Sequence, residues 1–305
     1  MNALILGGNG FIGSHLADKL LEKGHKVRIF DKYEEHYRKP IPGVEYSFGE
    51  FGNRGLLSDA LNGMDTVFHL ITTTVPKTSN DDPAFDVQSN VVDTISLLDQ
   101  CVAKKVNRFV FISSGGTVYG KPSILPIPEN GSTEPECSYG IVKLMIEKYL
   151  ALYRLLHGLE YTIVRPSNPY GERQNPNGIQ GAVTVFLGKV AKGETIEIWG
   201  DGEIVRDYIY IGDLVEGIYN AATLRTDSRI FNMGSGVGHS LKEIIEAIRT
   251  VTGCDVKVEY KAKRKFDIPK IYLDVTRARE ELAWRPMISM EEGIKRTWSF
   301  IKQVV

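Results

Sequence analysis

The sequence predicts an α/β protein, a doubly wound parallel sheet followed by a smaller C-terminal α/β domain. A buried strand pattern near the amino terminus leads into a glycine-rich turn and a helix, and strand and helix patterns then alternate through the first half of the chain. Alternation of this kind is typical of a parallel sheet with helices on both faces. A length of 305 residues is enough for two hydrophobic cores.

The composition is that of an ordinary globular chain, with 42% hydrophobic residues, 25% charged residues and a formal net charge of −1. This balance offers no basic surface for nucleic acid, and no apolar run reaches the roughly 18 to 20 residues that a membrane-spanning helix needs. The cysteines, Cys101, Cys137 and Cys254, are far apart and lack metal-ligand spacing. We therefore expect a reduced cytoplasmic protein with no metal, no membrane contact and no nucleic acid partner.

The amino-terminal segment is predicted to form a buried strand, a glycine-rich turn, a helix and a second strand that ends at Asp31. Gly7, Gly10 and Gly13 permit a tight turn, close approach to a pyrophosphate and packing of the helix on the sheet, and the helix N-terminus presents free N–H groups to the phosphate. Asp31 can accept hydrogen bonds from the adenine ribose and would repel a 2′-phosphate, although neighbouring Lys32 reduces that repulsion. The order of these parts predicts a Rossmann site for NAD.

The strand ends predict further residues of the same cleft, because parallel sheets bind ligands beyond the carboxyl ends of their strands. This argument selects Glu50, Thr72, Thr73 and Ser113. Strands are predicted at residues 3–6, 26–30, 45–48, 66–71, 108–113 and 161–165, and helices at 14–23, 56–61, 85–104 and 139–157.

Tyr139 and Lys143 are four positions apart in a helical pattern and therefore lie about one turn apart on one face. In a cleft, the ammonium group of Lys143 can stabilise the phenolate of Tyr139. On an exposed helix the same spacing would be a simple amphipathic pair. The spacing becomes informative through the motifs around it.

Those motifs are GGNGFIG at 7–13, NV at 90–91, SSGGTVYG at 113–120, YGIVK at 139–143, RPSNPYG at 165–171 and RDYI at 206–209. Together they resemble the extended short-chain dehydrogenase/reductases, specifically the nucleotide-sugar epimerase branch typified by UDP-glucose 4-epimerase. The similarity extends over almost the full length. It implies NAD as cofactor and a nucleotide-sugar substrate, most simply one linked to UDP.

By this resemblance Tyr139 is the acid/base and Lys143 its partner, which also holds the nicotinamide ribose. Tyrosine normally titrates near ~10, so it needs the ammonium and the positive nicotinamide ring to become a useful base at neutral pH. Tyr139 would take the proton of a sugar hydroxyl while a hydride leaves the carbon that bears it for NAD. The resulting keto-sugar would turn over and receive the hydride on its other face, which inverts the centre and regenerates NAD.

The resemblance and the strand ends also assign contacts. Arg206 suits a diphosphate because a guanidinium binds phosphate with two parallel hydrogen bonds; for the basic run at Arg264 a solvated surface is the alternative. The expected cofactor residues are Gly7, Gly10, Phe11, Ile12, Gly13, Asp31, Lys32, Glu50, Leu70, Thr72, Asn90, Ser113, Tyr139, Lys143 and Pro166. The expected substrate residues are Thr117, Tyr139, Asn168, Arg206, Arg264 and Asp267, the last for the uridine ribose.

Gly115 departs from the family pattern, which usually places a serine or threonine hydroxyl at this position to bond the reacting sugar oxygen. Thr117 or Ser114 can supply that hydroxyl, so both are candidate catalytic residues. In the alternative, Ser113 and Ser114 satisfy backbone groups and water fills the role. Gly116 and Thr117 stand where sugar-nucleotide dehydratases carry an Asp-Glu pair, which argues against dehydration.

We expect residues 1–171 to form the NAD-binding domain and 172–305 the nucleotide-sugar-binding domain, with segments near 208–211 and 230–232 returning to the large sheet. Relatives pair through the helices at 85–104 and 139–157, so a homodimer is expected. Apolar residues on those helices are explained equally well by packing on the sheet.

The expected activity is 4-epimerisation of a UDP-hexose. Ile271 stands at the position that gates an N-acetyl group in the family, and it leaves both the glucose and the N-acetylglucosamine series open as substrates. Uronic acid substrates, and inversion at a carbon other than C4, also stay open. Two alternatives remain: a nucleotide-sugar 4-reductase, which would consume NAD(P)H, and a non-catalytic NAD-binding regulator. Gly115 permits the regulator, whereas retention of Tyr139 and Lys143 argues against it.

Overall fold

The computed structural model describes residues 1–262 and 268–305. Its strands are β1 (Asn2–Leu6), β2 (Lys26–Asp31), β3 (Glu45–Phe48), β4 (Thr66–His69), β5 (Arg108–Ile112), β6 (Glu160–Pro166), β7 (Asn168–Tyr170), β8 (Ile196–Trp199), β9 (Val205–Tyr210), β10 (Ile230–Met233), β11 (Gly238–Ser240), β12 (Val258–Lys261) and β13 (Lys270–Ile271). Its α-helices are α1 (Phe11–Glu22), α2 (Arg54–Ala60), α3 (Pro83–Asp86), α4 (Asp93–Ala103), α5 (Ser138–His157), α6 (Ala182–Ala191), α7 (Ile211–Thr223), α8 (Leu241–Thr252), α9 (Thr276–Leu282) and α10 (Met290–Val304).

The large sheet has seven strands in the order β10-β6-β5-β4-β1-β2-β3. Strands β1 to β6 pair in parallel. Residues 3–6 of β1 are fully buried, as expected for a central parallel strand that is covered on both faces. The strand order reverses between β1 and β4, which is where an open α/β sheet opens a crevice for ligands. The predicted α/β fold with a doubly wound parallel sheet is confirmed.

Helix α5 spans Ser138–His157, so it starts one residue before the predicted 139–157 and ends as predicted, because Gly158 ends it in a left-handed conformation with φ +71°. The predicted helix at 85–104 is interrupted. It consists of α3, a π-helical segment at Val87–Val92, and α4. Sequence periodicity does not register the one-residue widening of a π-turn, and such turns are frequent at functional sites.

The chain forms two compact units, and it passes between them several times. The first contains residues 1–121, 132–165 and 218–231; the second contains 122–131, 166–217 and 232–305. The predicted boundary at residue 171, with two later segments returning to the first domain, differs from these units, in which residues 122–131 and 166–171 belong to the second unit. The assignment of one unit to the cofactor and the other to the substrate stays a prediction.

Strand β9 corrects one expectation. Tyr208 to Ile211 was expected to return to the large sheet, but β9 lies in a four-stranded sheet with β7, β11 and β13. The first half of β9 pairs with β11 and β13, and its second half pairs with β7. A hydrophobic pattern indicates that a strand is buried, but not which sheet it joins. The segment at 230–232 does lie in the large sheet, as part of β10.

The second unit also contains the parallel pair β8 and β12 and the helices α6 and α8 to α10. Helix α8 begins with a capping box in which the side chains of Ser240 and Glu243 each accept a hydrogen bond from the other's backbone N–H. In the part of the chain that the structure describes, no helix is both long and apolar enough to cross a bilayer.

Candidate active site

A cleft of about 480 Å³ opens at the carboxyl ends of β1, β2 and β4 in the first unit. It brings together residues that are distant in sequence but follow neighbouring strands. Its lining includes the predicted cofactor residues Gly7, Gly10, Asp31, Lys32, Glu50, Leu70 and Thr72, together with Thr73.

The glycine turn leaves no room for side chains at its centre. A β-carbon on Gly13 would lie 2.2 Å from the carbonyl oxygen of Gly7, and Gly7 has a φ of +82°. The N–H of Gly10 donates to the same carbonyl of Gly7 at 3.2 Å. Phe11 and Ile12 follow directly as the half-buried first residues of α1. The bare backbone at the start of a helix forms the cradle that a pyrophosphate requires.

Asp31 is held in place at the edge of this cleft. One carboxylate oxygen accepts the N–H of Asn9 at 2.9 Å and the other accepts the N–H of Tyr33 at 3.2 Å. Each oxygen keeps a lone pair for a ribose hydroxyl. The ammonium of Lys32 pairs with Glu50 at 2.7 Å, so its charge is directed to another carboxylate. The glycine cradle and the fixed carboxylate fit NAD.

Tyr139 and Lys143 lie one turn apart near the start of α5. The Lys143 ammonium donates to the carbonyl of Ile112 at 2.9 Å and lies 5.6 Å from the Tyr139 ring centroid and 4.9 Å from that of Phe111. Burial lowers the pKa of Lys143 to about 8, although the charges of Asp86 and Glu147 oppose that fall. Burial raises the pKa of Tyr139, and charges at Cys137 and Asp86 raise it further.

The loop from Ser113 to Gly120 packs against the start of α5. A β-carbon on Gly140 would lie 2.9 Å from the carbonyl oxygen of Thr117, so the glycine of the YGIVK motif permits this approach. The hydroxyl of Ser113 donates to Glu147 at 2.5 Å and is therefore engaged within the protein. The hydroxyl of Thr117 is buried and has no hydrogen-bond partner among the residues that the structure describes. Such orphaned buried groups are rare and call for a partner that binds there.

Sequence reasoning missed a buried ion pair beneath the site. Arg165, in β6, donates from Nε and Nη2 to the two carboxylate oxygens of Glu147 at 3.0 and 2.5 Å, and from Nη1 to the hydroxyl of Tyr119 at 2.9 Å. Both charged side chains are 3% exposed. The signal that could have revealed the pair is the position of Glu147, one turn after Lys143 on the same helix. The pair joins α5, β6 and the Ser113–Gly120 loop.

Asn90 is engaged inside the protein. Its side-chain oxygen accepts the N–H of Thr73 at 3.1 Å, and its amide nitrogen donates to the hydroxyl of Thr73 at 2.6 Å and to the carboxylate of Asp86 at 2.9 Å. These contacts fix the loop that follows β4. Pro166 is the last residue of β6 and is buried.

The second unit brings two of the predicted substrate residues onto adjacent strands, Asn168 on β7 and Arg206 on β9. The side chain of Asn168 donates to the backbone carbonyl of Asp207 at 2.8 Å. One guanidinium nitrogen of Arg206 donates to the carbonyls of Val205 and Ile268, both at 2.8 Å. The other two predicted substrate residues, Arg264 and Asp267, lie outside the described residues.

Comparison with known proteins decides the family. Residues 3–234 match the model described as the NAD dependent epimerase/dehydratase family. The chain belongs to this family. It is an enzyme of the NAD-dependent nucleotide-sugar epimerase family, its cofactor is NAD, and the resemblance read from its motifs is confirmed.

Three similar proteins illustrate the range of this family. The chain is 36% identical over 302 residues to a putative UDP-glucose 4-epimerase of Methanocaldococcus jannaschii, with 98% of each chain covered. It is 35% identical to a dTDP-4-dehydro-6-deoxyglucose reductase of Escherichia coli, with 96% of this chain and 95% of the relative covered. The structure of UDP-glucose 4-epimerase with UDP-glucose from Thermotoga maritima is 35% identical, has a TM-score of 0.94, and is matched over 100% of this chain and 99% of that one.

Proposed function

We propose that this family member is a UDP-hexose 4-epimerase that works through a transient 4-keto sugar. The observation that carries the proposal is the buried ammonium of Lys143, which is fixed on the Ile112 carbonyl at 2.9 Å beside the ring of Tyr139. The similar Thermotoga maritima protein was solved with UDP-glucose, and the Methanocaldococcus jannaschii relative carries the name of the same activity.

Tyr139 is the group that moves the proton. Its pKa is raised by burial, so in the unliganded chain it is a neutral phenol at neutral pH. The ammonium of Lys143 favours the phenolate, and a fixed positive charge in a site sheltered from water does so more strongly than in bulk solvent. When bound, NAD supplies a hydride acceptor and a positive nicotinamide ring. The phenolate would take the proton of the sugar 4-hydroxyl and later return it to the same oxygen, after the keto-sugar has turned and received the hydride on its opposite face.

Thr117 is our choice for the hydroxyl that Gly115 cannot provide. Ser113 is engaged with Glu147 at 2.5 Å, whereas the buried hydroxyl of Thr117 has no partner in residues 1–262 and 268–305. A hydroxyl that already lacks partners can bond the reacting sugar oxygen without first breaking another hydrogen bond. Ser114 stays the second candidate.

Asn168 and Arg206 are proposed to hold the sugar diphosphate, with Arg264 and Asp267 completing the nucleotide contacts. The side chain at the proposed sugar gate, Ile271, is 4% exposed on β13. It is neither a bulky aromatic nor a small residue. We therefore propose a substrate from either the glucose or the N-acetylglucosamine series.

A homodimer is proposed from the surface of α5. This helix exposes three leucines on its second half: Leu152 is 41% exposed, Leu155 81% and Leu156 62%. Burying them against a second copy would remove apolar surface from water. Light scattering of the wild type and of Leu155→Glu tests this, and a wild type that stays monomeric would contradict it.

The deciding experiment is incubation with UDP-glucose, UDP-N-acetylglucosamine and UDP-glucuronate, followed by separation of the products and continuous measurement of NADH absorbance. A 4-epimerase interconverts one of these sugars with its C4 epimer while net NADH stays flat. Steady consumption of NADH with a 4-keto sugar would favour the reductase, an alternative that the 35% identical Escherichia coli relative supports. Retained NAD without any turnover would favour a regulator.

A further inference from the structure

Asp86 is a fully buried carboxylate at the end of α3, and the catalytic proposal above does not use it. One of its oxygens accepts the hydroxyl of Ser138 at 2.6 Å; the other accepts the hydroxyl of Thr74 at 2.6 Å and the amide of Asn90 at 2.9 Å. All three donors are neutral, and an ionised carboxylate can only accept. Burying a charged group costs free energy, so a neutral hydrogen-bond acceptor would be less destabilising at this position unless the carboxylate has a role.

On one side, Asp86 holds the beginning of the helix that carries Tyr139. Ser138 is the first residue of α5 and directly precedes Tyr139. The N–H of Ser138 donates to the side chain of Asn80 at 2.9 Å, and the N–H of Tyr139 donates to the hydroxyl of Ser79 at 3.1 Å. The first turn of α5 is thus fixed by side chains of the loop between β4 and α3 and by the carboxylate that closes α3.

On the other side, Asp86 holds the wall of the cofactor cleft. Thr74 and Asn90 donate to the same carboxylate oxygen, and Asn90 accepts the N–H of Thr73, which lines the cleft. One buried carboxylate therefore joins the loop against which NAD would lie to the helix that carries the proposed acid/base.

We propose that Asp86 is a positioning residue for the Tyr139–Lys143 pair: it fixes the first turn of α5 against the cofactor loop and places its carboxylate beside the pair. This inference rests on the proposed function, because it concerns the same acid/base. Asp86 does not touch the reacting atoms and acts through Ser138 and through its charge.

The charge has a defined effect on the pair. Burial is the largest influence, raising the pKa of Tyr139 and lowering that of Lys143 to about 8, and the charge of Asp86 raises both pKa values. Removing the charge therefore lowers both. The other titratable groups that face the pair are Cys137, Glu147 and His69.

Asp86→Asn keeps the shape of the side chain, removes the charge and loses at least one of the three hydrogen bonds. The expected result is a kcat lower by roughly 10- to 100-fold, as for a misplaced catalytic group, with little change in KM. Both limbs of the pH profile of kcat/KM should move to lower pH. A residue with a merely structural role would lower the rate without moving either limb.

Two variants serve as controls. Asp65→Asn removes a carboxylate charge at the opposite, amino-terminal edge of the same sheet, where Asp65 accepts the N–H of Asn2 at 2.8 Å, and should leave the limbs in place. Ser138→Ala removes one hydrogen bond to Asp86 but keeps its charge, so it should lower kcat without moving the limbs. Should Asp86→Asn fail to fold, a Ser138→Ala kcat equal to that of the wild type would overturn the proposal.

A readout that needs no substrate separates this inference from the proposed function. Carbon NMR of protein labelled at the tyrosine Cζ, with Tyr139→Phe to assign the signal, follows the ionisation of Tyr139. The Tyr139 hydroxyl should lose its proton at lower pH in Asp86→Asn than in the wild type. If the wild type turns over no sugar but this shift occurs, the proposed function fails and the positioning role stands. If the wild type epimerises a sugar, but Asp86→Asn shifts neither the limbs of the kcat/KM pH profile nor the titration of Tyr139 seen by NMR, the positioning role fails.

Discussion

The carbonyl oxygen of Thr117 lies 2.9 Å from the point where a β-carbon would stand on Gly140. This close approach seats the loop that carries the unpartnered Thr117 hydroxyl on the first turn of α5, directly after Tyr139. The separation of the two proposed catalytic hydroxyls is thus set by a residue that has no side chain.

Gly140→Ala should disturb that separation. The new methyl would also lie 2.8 Å from the β-carbon of Pro135, so helix and loop must move apart. We expect a loss of about 1–3 kcal/mol in the free energy of unfolding, typical of overpacking, and a lower kcat. Gly55→Ala is the matched control, because Gly55 lies exposed in α2, where a β-carbon would make an ordinary contact with the Asn53 side-chain oxygen at 3.6 Å, and alanine favours helices. Equal stability and activity of the two variants would contradict the packing argument.

Tyr139→Phe should abolish turnover while NAD stays bound. The change removes the titrating oxygen and little else, so kcat should fall by at least about 10²- to 10⁴-fold with an unchanged melting temperature. Tyr149→Phe, on the same helix, provides the comparison and should retain activity. Rates and bound NAD are measured on the same preparations. Near-normal turnover by Tyr139→Phe would refute its assignment as the acid/base.

Thr117→Val should separate catalysis from stability. The hydroxyl of Thr117 is buried without a partner in the described part of the chain, so its replacement by an isosteric methyl should leave the free energy of unfolding unchanged or slightly higher. Turnover should nevertheless fall roughly 10- to 1000-fold if the hydroxyl bonds the reacting sugar oxygen. Thr117→Ser keeps the hydroxyl and should keep most of the activity. If Thr117→Val is fully active and Ser114→Ala is not, the role belongs to Ser114.

Lys143→Met should reveal the buried ammonium through the pH dependence of stability. The pKa of Lys143 is about 8 in the folded chain, against an ordinary value of ~10.4 when unfolded. Below pH 8 Lys143 is charged in both the folded and the unfolded state, and the folded state bears the full cost of burying that charge. Above ~10.4 Lys143 is neutral in both states, and the cost is gone. Raising the pH from 7 to ~10.5 should therefore increase the unfolding free energy of the wild type, relative to that of Lys143→Met, by about 3 kcal/mol. Denaturant titrations of both proteins across this range measure it, and a constant difference would contradict a depressed pKa.

Much of the fold follows from local pattern. Continuous apolar runs fix the central strands, and Gly158 ends α5 where the sequence predicts. The glycine turn and the strand ends select residues that the structure gathers around one cleft, from Gly7 to Thr73. These features are readable because each depends on neighbours in sequence and on the rule that parallel strands present their carboxyl ends together.

The sequence by itself therefore determined the doubly wound sheet, the family with its NAD cofactor, and the motifs around Tyr139 and Lys143. Only the tertiary structure decided that β9 joins the smaller sheet and that Arg165 pairs with Glu147 beneath the site. It also decided that the hydroxyl of Thr117 finds no partner among the described residues and that Asp86 connects the loop after β4 to α5. The physical reason is that burial and pairing of polar groups depend on contacts between residues far apart in the chain, such as Asp86 and Ser138, and periodicity along the chain carries no record of those contacts.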